Sequence, residues 1–483
     1  MDDLFDVSGR TLSQRLREKE ISSLELVEHY ISKIESVNSK LNAVVCKRYE
    51  TARAEARKAD EQIANSKASE LPPYLGVPCT VKESFALSGM PNSAGLVSRK
   101  NVVASQDAIA VQRLRAAGAI PLGVTNTSEL CMWMESNNKV YGRTNNPYRQ
   151  THIVGGSSGG EGAIIGSGAS PFGIGSDIGG SIRMPAFFNG VFGHKPSACL
   201  VPNLGQYPAA ENEAQRFLCT GPLTRRADDL MPLLKIFAGA SALDSTCIEM
   251  PIGCTDNFDL KDLTVISIPS NGRLSVAEDL RVAQEQAFEA FRRAGAKTRE
   301  VKLRGLKDSL GIWSAMMSEA ADTAYEHHLG DGARFALGRE ALKLAVGHSP
   351  YTLPSVGLVL AEKLTGRFKK QTQRMVKAGQ QLKAEIDELL KPNTLLLFPS
   401  YTRTAPPHGQ PLRLPIQWQY TAIINVLEVP ATQIPLGLNQ DKLPLGVQVI
   451  GGHGQDALCI AAAQFLEKEF GGWVNPESQT LNT

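Results

Sequence analysis

The segment from Gly155 to Gly193 constrains this chain more than any other part of it. It reads GGSSGGEGAIIGSGASPFGIGSDIGGSIRMPAFFNGVFG, and thirteen of its residues are glycine. Glycine buries little surface and loses the most backbone entropy on folding, so such a segment is costly unless the backbone must approach a ligand or adopt unusual dihedral angles. Ser157 and Ser181 each follow two glycines and are candidate functional residues. Lys82, in the polar cluster Val81-Lys82-Glu83-Ser84, is a third.

Composition excludes several classes of function. The net charge of +2 gives no basic footprint for nucleic acid, and an aromatic content of 6% disfavours base stacking. The eight cysteines form no CxxC pair, which is typical of reduced thiols in an intracellular protein. The histidines form no HExxH pattern, so we expect no metal site. No run of 18 apolar residues occurs, so we expect a cytoplasmic or peripherally membrane-associated protein.

Strand and helix patterns alternate along the chain. This alternation predicts one α/β domain over residues 1–483, with a central twisted, mixed, mostly parallel sheet covered by helices on both faces. Ser22 and Glu25 have the spacing of a capping box at the start of the first amphipathic helix. The predicted helices span 22–36, 50–66, 107–117, 276–294 and 456–468, and the predicted strands span 75–81, 120–124, 263–268, 297–301, 394–398 and 445–450.

Familiar glycine-rich and serine motifs fit the chain poorly. No GxxxxGK[ST] or GxGxxG pattern is present, which excludes the common phosphate-binding loops. Residues 155–159 match the GxSxG nucleophile elbow, as does the next frame centred on Ser158, but a glycine run matches such templates easily and no clear strand precedes it. Residues 136–139 match SxxK without its partner motifs. His152 and His194 are interpreted as structural histidines.

The three candidate residues can perform nucleophilic catalysis together. A lysine acts as a base only when neutral, and burial of Lys82 after an apolar strand favours the neutral amine. A hydroxyl both donates and accepts, so Ser157 can relay a proton from Ser181, which then attacks a carbonyl. Successive N–H groups of the turn at 177–181 can stabilise the oxyanion. The alternative is a glycine-rich connection between strands with no catalytic role.

The two serine motifs together resemble the amidase signature. The sequences GGSSGGEG at 155–162 and GSDIGGSIRMP at 175–185 carry the resemblance, and the spacings to Lys82 agree with it. Flanking blocks at 75–78, 142–147, 193–196 and 443–450 extend it over almost the whole chain, with a signature core at about 75–200. The chain is similar to members of the amidase signature family, which implies an amide hydrolase with the α/β fold of that family.

This resemblance assigns a role to each residue. It implies that Ser181 is the nucleophile, that Ser157 is a bridging serine after a cis peptide bond at Gly156–Ser157, and that Lys82 is the base. It implies no metal and no cofactor. The expected backbone donors to the oxyanion are Ile178, Gly179, Gly180 and Ser181, and the expected supporting residues are Ser158, Asp177 and Arg183.

Shorter segments point to a class of substrate. Residues 90–93, 128–133 and 184–190 most resemble the type 2 fatty-acid amide hydrolase branch of the family, which implies long-chain N-acylethanolamines or primary fatty amides as substrates. Met132 and Trp133 are then expected to line the acyl pocket. Residues 351–370 combine apolar residues with Lys363, Arg367, Lys369 and Lys370, a composition typical of an interfacial helix as well as of a helix packed on the core. Peripheral membrane contact and a homodimer are further expectations.

Other functions remain open on the sequence. An amidase for small polar or aryl amides uses the same mechanism, and the amidase component of a tRNA-dependent amidotransferase carries the same motifs. A catalytically inactive scaffold is a fourth hypothesis, but the intact Lys82, Ser157 and Ser181 argue against it.

Overall fold

The strands of the protein form one large sheet and one small hairpin. A computed structural model describes residues 2–255, 258–321, 323–365 and 369–479. The strands are β1 (Val44–Lys47), β2 (Pro78–Lys82), β3 (Ile120–Thr125), β4 (Asn137–Asn138), β5 (Gly142–Arg143), β6 (Phe172–Asp177), β7 (Phe192–Lys195), β8 (Cys219–Thr224), β9 (Thr264–Ser267), β10 (Lys297–Glu300), β11 (Thr394–Phe398), β12 (Ala431–Leu438) and β13 (Pro444–Ile450).

Helices occupy much of the remaining chain. They are α1 (Gly9–Arg17), α2 (Ser23–Leu41), α3 (Tyr49–Asn65), α4 (Ile109–Ala116), α5 (Gly159–Gly166), α6 (Arg183–Phe188), α7 (Leu230–Phe237), α8 (Glu278–Arg293), α9 (Ser309–Ala320), α10 (Tyr325–Leu329), α11 (Leu337–Ala345), α12 (Leu353–Thr365), α13 (Lys369–Leu389), α14 (Gln419–Val426) and α15 (Asp456–Phe470). None of the helices described is long and apolar enough to cross a bilayer.

The large sheet has the strand order β1-β3-β2-β6-β8-β7-β12-β13-β11-β9-β10. Parallel ladders join β3, β2 and β6 on one side and β11, β9 and β10 on the other. Antiparallel ladders join the middle strands from β6 through β8, β7, β12 and β13 to β11. The parallel pairing of β2 with β6 matters most for function, because the carboxyl ends of parallel neighbours meet at one edge of the sheet.

Side chains of the strands alternate between two hydrophobic cores. In β11, Leu395 and Leu397 pack into one core with α2, α5, α7 and α15. Leu396 and Phe398 pack into the other core with α9, α13 and α14. Because successive residues of a strand point to opposite faces, the helices cover both faces of the sheet. The predicted α/β fold with a mixed sheet between helical layers is confirmed. Among the described strands four of the ten ladders of the large sheet are parallel and six are antiparallel, so parallel pairing is limited to its two flanks and does not dominate the sheet as expected.

The local predictions also agree with the structure at most positions. Helix α2 begins with the predicted capping box, in which the Glu25 N–H donates to Ser22 Oγ at 3.2 Å and the Ser22 N–H donates to Glu25 Oε2 at 2.9 Å. The strand predicted over 75–81 is shorter and begins at Pro78, because Gly76 turns the chain with a φ of 81°. It still ends at Lys82.

Candidate active site

Lys82 lies at the carboxyl end of β2 and is wholly buried. Its Nζ donates to Ser157 Oγ at 2.7 Å and to Ser176 Oγ at 3.0 Å. Ser176 is the next-to-last residue of β6, the parallel neighbour of β2. The sheet itself therefore brings Lys82 and Ser176 together. The predicted contact between Lys82 and Ser157 is therefore present in the structure.

Burial lowers the pKa of the Lys82 amine. The Cys131 thiol, Asp177 and Glu161 oppose this effect, but desolvation of the ammonium form outweighs them. Glu161 is itself buried, accepts from the Thr80 and Thr125 hydroxyls, and has a pKa raised by burial to about 8. A buried lysine with a lowered pKa and a hydroxyl within hydrogen-bond distance is suited to act as a general base.

The loop of residues 155–159 holds Ser157 in place. The peptide bond between Gly156 and Ser157 is cis, as the resemblance implied. Ser136 Oγ lies 3.1 Å from Gly155 O and 3.2 Å from Ser157 O, and it accepts from the Gly159 N–H at 3.0 Å. Ser136 is thus a support of this loop rather than a nucleophile. A side chain at Gly156 would place its Cβ 2.2 Å from Trp133 O, so this position requires glycine.

Asp177 organises the turn that carries Ser181. Its carboxylate accepts from the Gly180 N–H at 2.7 Å, from the Ile182 N–H at 3.1 Å and from the Arg183 side chain at 2.9 and 3.0 Å. The Ser158 N–H donates to Ser181 O at 3.2 Å, which joins the two serine loops directly. Ser181 keeps 8% of its surface exposed, whereas Ser157 and Lys82 have none. Of the three, only Ser181 is reachable by a substrate.

The ion pair between Asp177 and Arg183 is completely buried. Arg183 also donates to Gln448 Oε1 at 2.9 Å and to Asn425 Oδ1 at 2.7 Å. Although burial alone raises the pKa of Asp177, the Arg183 guanidinium and the Asn425 amide hold that pKa well below its usual range. The carboxylate stays ionised, and its charge is satisfied at both oxygens. These contacts are consistent with the expected supporting role of Asp177, Ser158 and Arg183, which stays a prediction.

Three backbone donors of the turn are free. Within the described part of the chain, the N–H groups of Ile178, Gly179 and Ser181 have no hydrogen-bond acceptor. The Gly180 N–H is different, because it donates to Asp177 Oδ1. The expected set of oxyanion donors thus narrows to the other three. Adjacent free N–H groups beside an accessible hydroxyl form a suitable cradle for a developing oxyanion.

The segment containing Met132 and Trp133 lies against the serine loop. Both side chains are partly buried and pack on the core that contains Trp313 and Phe188. The Trp133 carbonyl abuts Gly156 and accepts from Ser128 Oγ at 2.8 Å. These positions are consistent with the expected pocket lining, which stays a prediction.

Sequence reasoning missed several residues around the site. Ser176 contacts Lys82, Ser136 supports the serine loop, and Asn425 and Trp313 contact the turn of Ser181. Ser136 lies in the SxxK match of 136–139, which gave no hint of this role, and Ser176 directly precedes Asp177 in the signature block. No local pattern marks Asn425 or Trp313, because each of their contacts depends on residues far apart in the chain.

The histidines lie in structural networks. His194 is buried between Thr432 and Asp456, at 2.8 and 3.0 Å, and the His152 Nδ1 contacts Thr151 Oγ1 at 2.9 Å. Their positions agree with the structural interpretation. Across residues 2–255, 258–321, 323–365 and 369–479, no three His, Cys, Asp or Glu side chains are grouped as metal ligands.

Comparison with known proteins places these features in a family. The family model Amidase matches residues 25–460. Fatty-acid amide hydrolase 2 of Homo sapiens is 43% identical over 98% of this chain and 91% of its own length. One component of the glutamyl-tRNA(Gln) amidotransferase of Exiguobacterium sibiricum is 30% identical over 98% of this chain and 99% of its own.

Solved structures support the same fold. A structure of fatty acid amide hydrolase superposes with a TM-score of 0.78 at 23% identity, covering 98% of this chain and 86% of that one. The matched segment contains Lys82, Ser157 and Ser181 together with strands β2 and β6, which bring Lys82 and Ser176 into contact. This chain belongs to the amidase signature family and is an amide hydrolase.

Proposed function

We propose that this amidase hydrolyses long-chain fatty-acid amides through an acyl-enzyme on Ser181, with Ser157 and Lys82 completing the catalytic triad. The observation that carries the mechanism is the buried Lys82 amine, which is hydrogen-bonded to Ser157 Oγ at 2.7 Å. The turn of 177–181 nearby has free N–H groups. The lowered pKa of Lys82 favours the neutral form that a base requires.

Acylation begins with proton transfer along the triad. Lys82 accepts the Ser157 proton, Ser157 accepts the Ser181 proton, and Ser181 Oγ attacks the amide carbonyl. The N–H groups of Ile178, Gly179 and Ser181 stabilise the oxyanion. The tetrahedral intermediate then collapses, and the leaving amine takes a proton from Ser157, which regains one from Lys82.

Deacylation repeats these steps with water. The neutral triad removes a proton from a water molecule, which attacks the acyl carbonyl of Ser181. Collapse of the second intermediate returns the proton to Ser181 Oγ and releases the carboxylic acid. The residues of this chain supply every proton transfer, so the proposed reaction needs no added cofactor.

The long-chain substrate class is supported by the relatives. The human relative at 43% identity carries the name of a fatty-acid amide hydrolase, whereas the amidotransferase component is less similar, at 30%. A panel of oleamide, an N-acylethanolamine, acetamide, an aryl anilide and glutamine tests the proposal. We expect the two long-chain amides to have the highest kcat/KM. Equal or better turnover of acetamide, the anilide or glutamine would overturn the lipid assignment.

A surface near α12 suits delivery of such substrates from a membrane. Helices α11 and α12 pack together. They and the adjoining loop expose apolar side chains, here named the apolar strip: Leu342, Val346, Leu353, Leu360 and Leu364, at 67%, 60%, 53%, 48% and 50% exposure. Lys369 and Lys370 are exposed nearby in sequence, and Arg367 lies outside the described residues. Exposed apolar residues flanked by lysines are typical of interfacial helices.

The opposite face of α12 packs on the rest of the protein in a small apolar cluster separate from the two main cores, which agrees with the second interpretation of 351–370. Val356 and Val359 are buried, and Val359 packs in a cluster with Leu130. Thr352, just before α12, donates through its N–H and its hydroxyl to Glu129 Oε2, each at 2.9 Å. Glu129 and Leu130 lead into Met132 and Trp133, so the strip is tied to the expected pocket.

Vesicle binding tests the membrane proposal. We expect wild-type protein to co-sediment with anionic vesicles and the double variant Leu353→Glu/Leu360→Glu to lose most of this binding. Leu243→Glu is the control, because Leu243 is 74% exposed outside the strip. Equal vesicle binding by both variants would contradict the proposal. The expected homodimer stays a prediction, which analytical ultracentrifugation of the same proteins measures.

A further inference from the structure

The peptide units that carry the free N–H groups of the Ser181 turn are hydrogen-bonded through their carbonyl oxygens. In a trans peptide the C=O and the N–H of the unit point in opposite directions. The carbonyl paired with each free N–H is therefore the place to look for what aims that donor. Asp177 O belongs to the same peptide unit as the Ile178 N–H. In the same way, Ile178 O belongs with the Gly179 N–H, and Gly180 O with the Ser181 N–H.

Each of these carbonyls accepts a hydrogen bond on the side away from the free donor. Asp177 O accepts from Asn425 Nδ2 at 2.8 Å, and Gly180 O accepts from the Met184 N–H at 2.7 Å. Ile178 O accepts from Trp313 Nε1 at 2.9 Å. The remaining peptide unit, Gly179–Gly180, is hydrogen-bonded at both ends. Gly179 O lies 3.0 Å from the Thr421 hydroxyl, and the Gly180 N–H donates to Asp177 Oδ1.

Among these supports Trp313 is the one that comes from a helix otherwise uninvolved in the site. It projects from α9, which packs against α13 and α14, and its side chain is buried. Its ring lies edge-on to Trp418, with centroids 4.7 Å apart. Trp418 does not share its role, because Trp418 Nε1 donates to Pro415 O at 2.8 Å, away from the turn.

We propose that Trp313 is a positioning residue for the amidase reaction, whose indole N–H holds the Ile178–Gly179 peptide so that the Gly179 N–H faces the substrate oxyanion. This inference rests on the proposed function, because it assigns the free N–H groups to the oxyanion. Trp313 contacts the Ile178–Gly179 peptide and not the substrate, so its effect on the reaction passes through that peptide. Loss of its N–H lets the peptide unit rotate, so the Gly179 donor is no longer fixed before the reaction.

The main test is Trp313→Phe, which keeps a buried aromatic ring and removes the N–H. Removing a whole oxyanion donor costs on the order of 100- to 1000-fold in kcat, so we expect about a 10- to 100-fold loss for a misaimed one. KM for oleamide stays within about twofold, since the substrate ground state carries little oxyanion charge. Binding of a trifluoromethyl ketone, which forms an oxyanion on Ser181, weakens by the same factor as kcat.

Two tryptophans serve as matched controls. Trp473→Phe removes a buried indole bond of the same length, from Nε1 to Gly166 O at 2.9 Å, outside the site. We expect it to lower the unfolding temperature as much as Trp313→Phe while leaving kcat within about twofold. Trp418→Phe removes the neighbouring N–H, and we expect less than a threefold loss of kcat. Equal losses of kcat in Trp313→Phe and either control would overturn the inference.

An isosteric replacement covers the case in which Trp313→Phe does not fold. Incorporation of β-(3-benzothienyl)alanine at position 313 replaces the N–H by sulfur in a ring of nearly the same shape. We expect the same loss of kcat and of trifluoromethyl ketone affinity, and an unchanged kcat would refute the role of Trp313. A wild-type protein that hydrolyses none of the amides would instead refute the proposed function, so the two failures are distinguishable.

Discussion

The two glycine-rich loops of this amidase differ in how their backbone polar groups are used. In the loop of 155–159, Ser136 Oγ accepts from the Gly159 N–H and has one proton to donate, to Gly155 O at 3.1 Å or to Ser157 O at 3.2 Å, while Lys82 donates to Ser157 Oγ. In the turn of 177–181, Asp177 takes one N–H, and three others have no acceptor within the described residues. In the first loop the N–H groups of Gly155, Gly156 and Ser157 also have no acceptor within the described residues, but that loop is fully buried at Ser157. In the second loop the free N–H groups lie beside Ser181, which keeps 8% of its surface exposed, so only these donors are placed to meet a substrate oxygen.

This difference is consistent with the proposed roles, in which Ser157 relays a proton and Ser181 attacks. A buried polar group without a partner costs free energy, so free donors persist where function needs them. Ser157 is fully buried, while Ser181 keeps 8% of its surface exposed beside the free donors. The variants below separate the two loops, from the largest expected effect to the smallest.

Removing the proposed nucleophile or the proposed base is expected to lower kcat most. We expect Ser181→Ala and Lys82→Ala each to lower kcat by about 10⁴-fold or more, because members of a catalytic unit act non-additively. Fluorophosphonate labelling followed by peptide mapping measures which serine reacts. Lys82→Arg keeps a cation that cannot deprotonate and should be as inactive as Lys82→Ala. Labelling at Ser157 instead of Ser181 would reverse the roles of the two loops.

Neutralising Asp177 is expected to destabilise the second loop. Asp177→Asn leaves the buried Arg183 charge without its partner, which costs about 3–5 kcal/mol in the free energy of unfolding. Urea denaturation measures the loss. The control is Asp228→Asn, whose exposed pair with Arg10 should contribute at most about 1 kcal/mol. A loss for Asp177→Asn no larger than that of the control would show that Arg183 has other adequate partners.

The pH profile tests the buried base. Burial lowers the pKa of Lys82, so its amine loses its proton at a lower pH than an ordinary lysine does. Since the neutral amine is the active form, kcat/KM should rise about tenfold per pH unit below that pKa and level off above it. Rates for oleamide measured from pH 5 to about 11.5 locate the inflection, since this range includes the ordinary lysine pKa. A rise centred at the ordinary lysine pKa of about 10.4 would contradict a buried catalytic amine.

Loosening the first loop is expected to have the smallest effect. Ser136→Ala removes the hydroxyl that supports Gly155 and Gly159 but leaves the bond between Lys82 and Ser157 possible. We expect about a tenfold loss in kcat, comparable to about 1.4 kcal/mol, with KM nearly unchanged. Ser88→Ala, which removes an exposed hydroxyl bonded to Ser105 O, is the control. If both variants behave alike, Ser136 does not position Ser157.

Much of the fold could be predicted from local patterns. The capping box of α2, the strand ending at Lys82, and helices α8 and α15 follow from periodicity and side-chain type. The middle strands β6, β7, β8 and β12 could not be predicted in this way. Strand β6 reads FGIGSD, and its two glycines hide the usual strand pattern, although its pairing with β2 brings Ser176 to Lys82.

The sequence by itself determined the family, the residue types of the triad and the two glycine-rich loops, because these depend on identity and spacing along the chain. Only the tertiary structure decided which N–H groups stay free and which residues aim them. Asn425 and Trp313 reach the Ser181 turn from 248 and 135 residues away. Hydrogen-bond satisfaction is set by whichever groups packing brings within about 3 Å, and spacing in sequence does not encode that proximity.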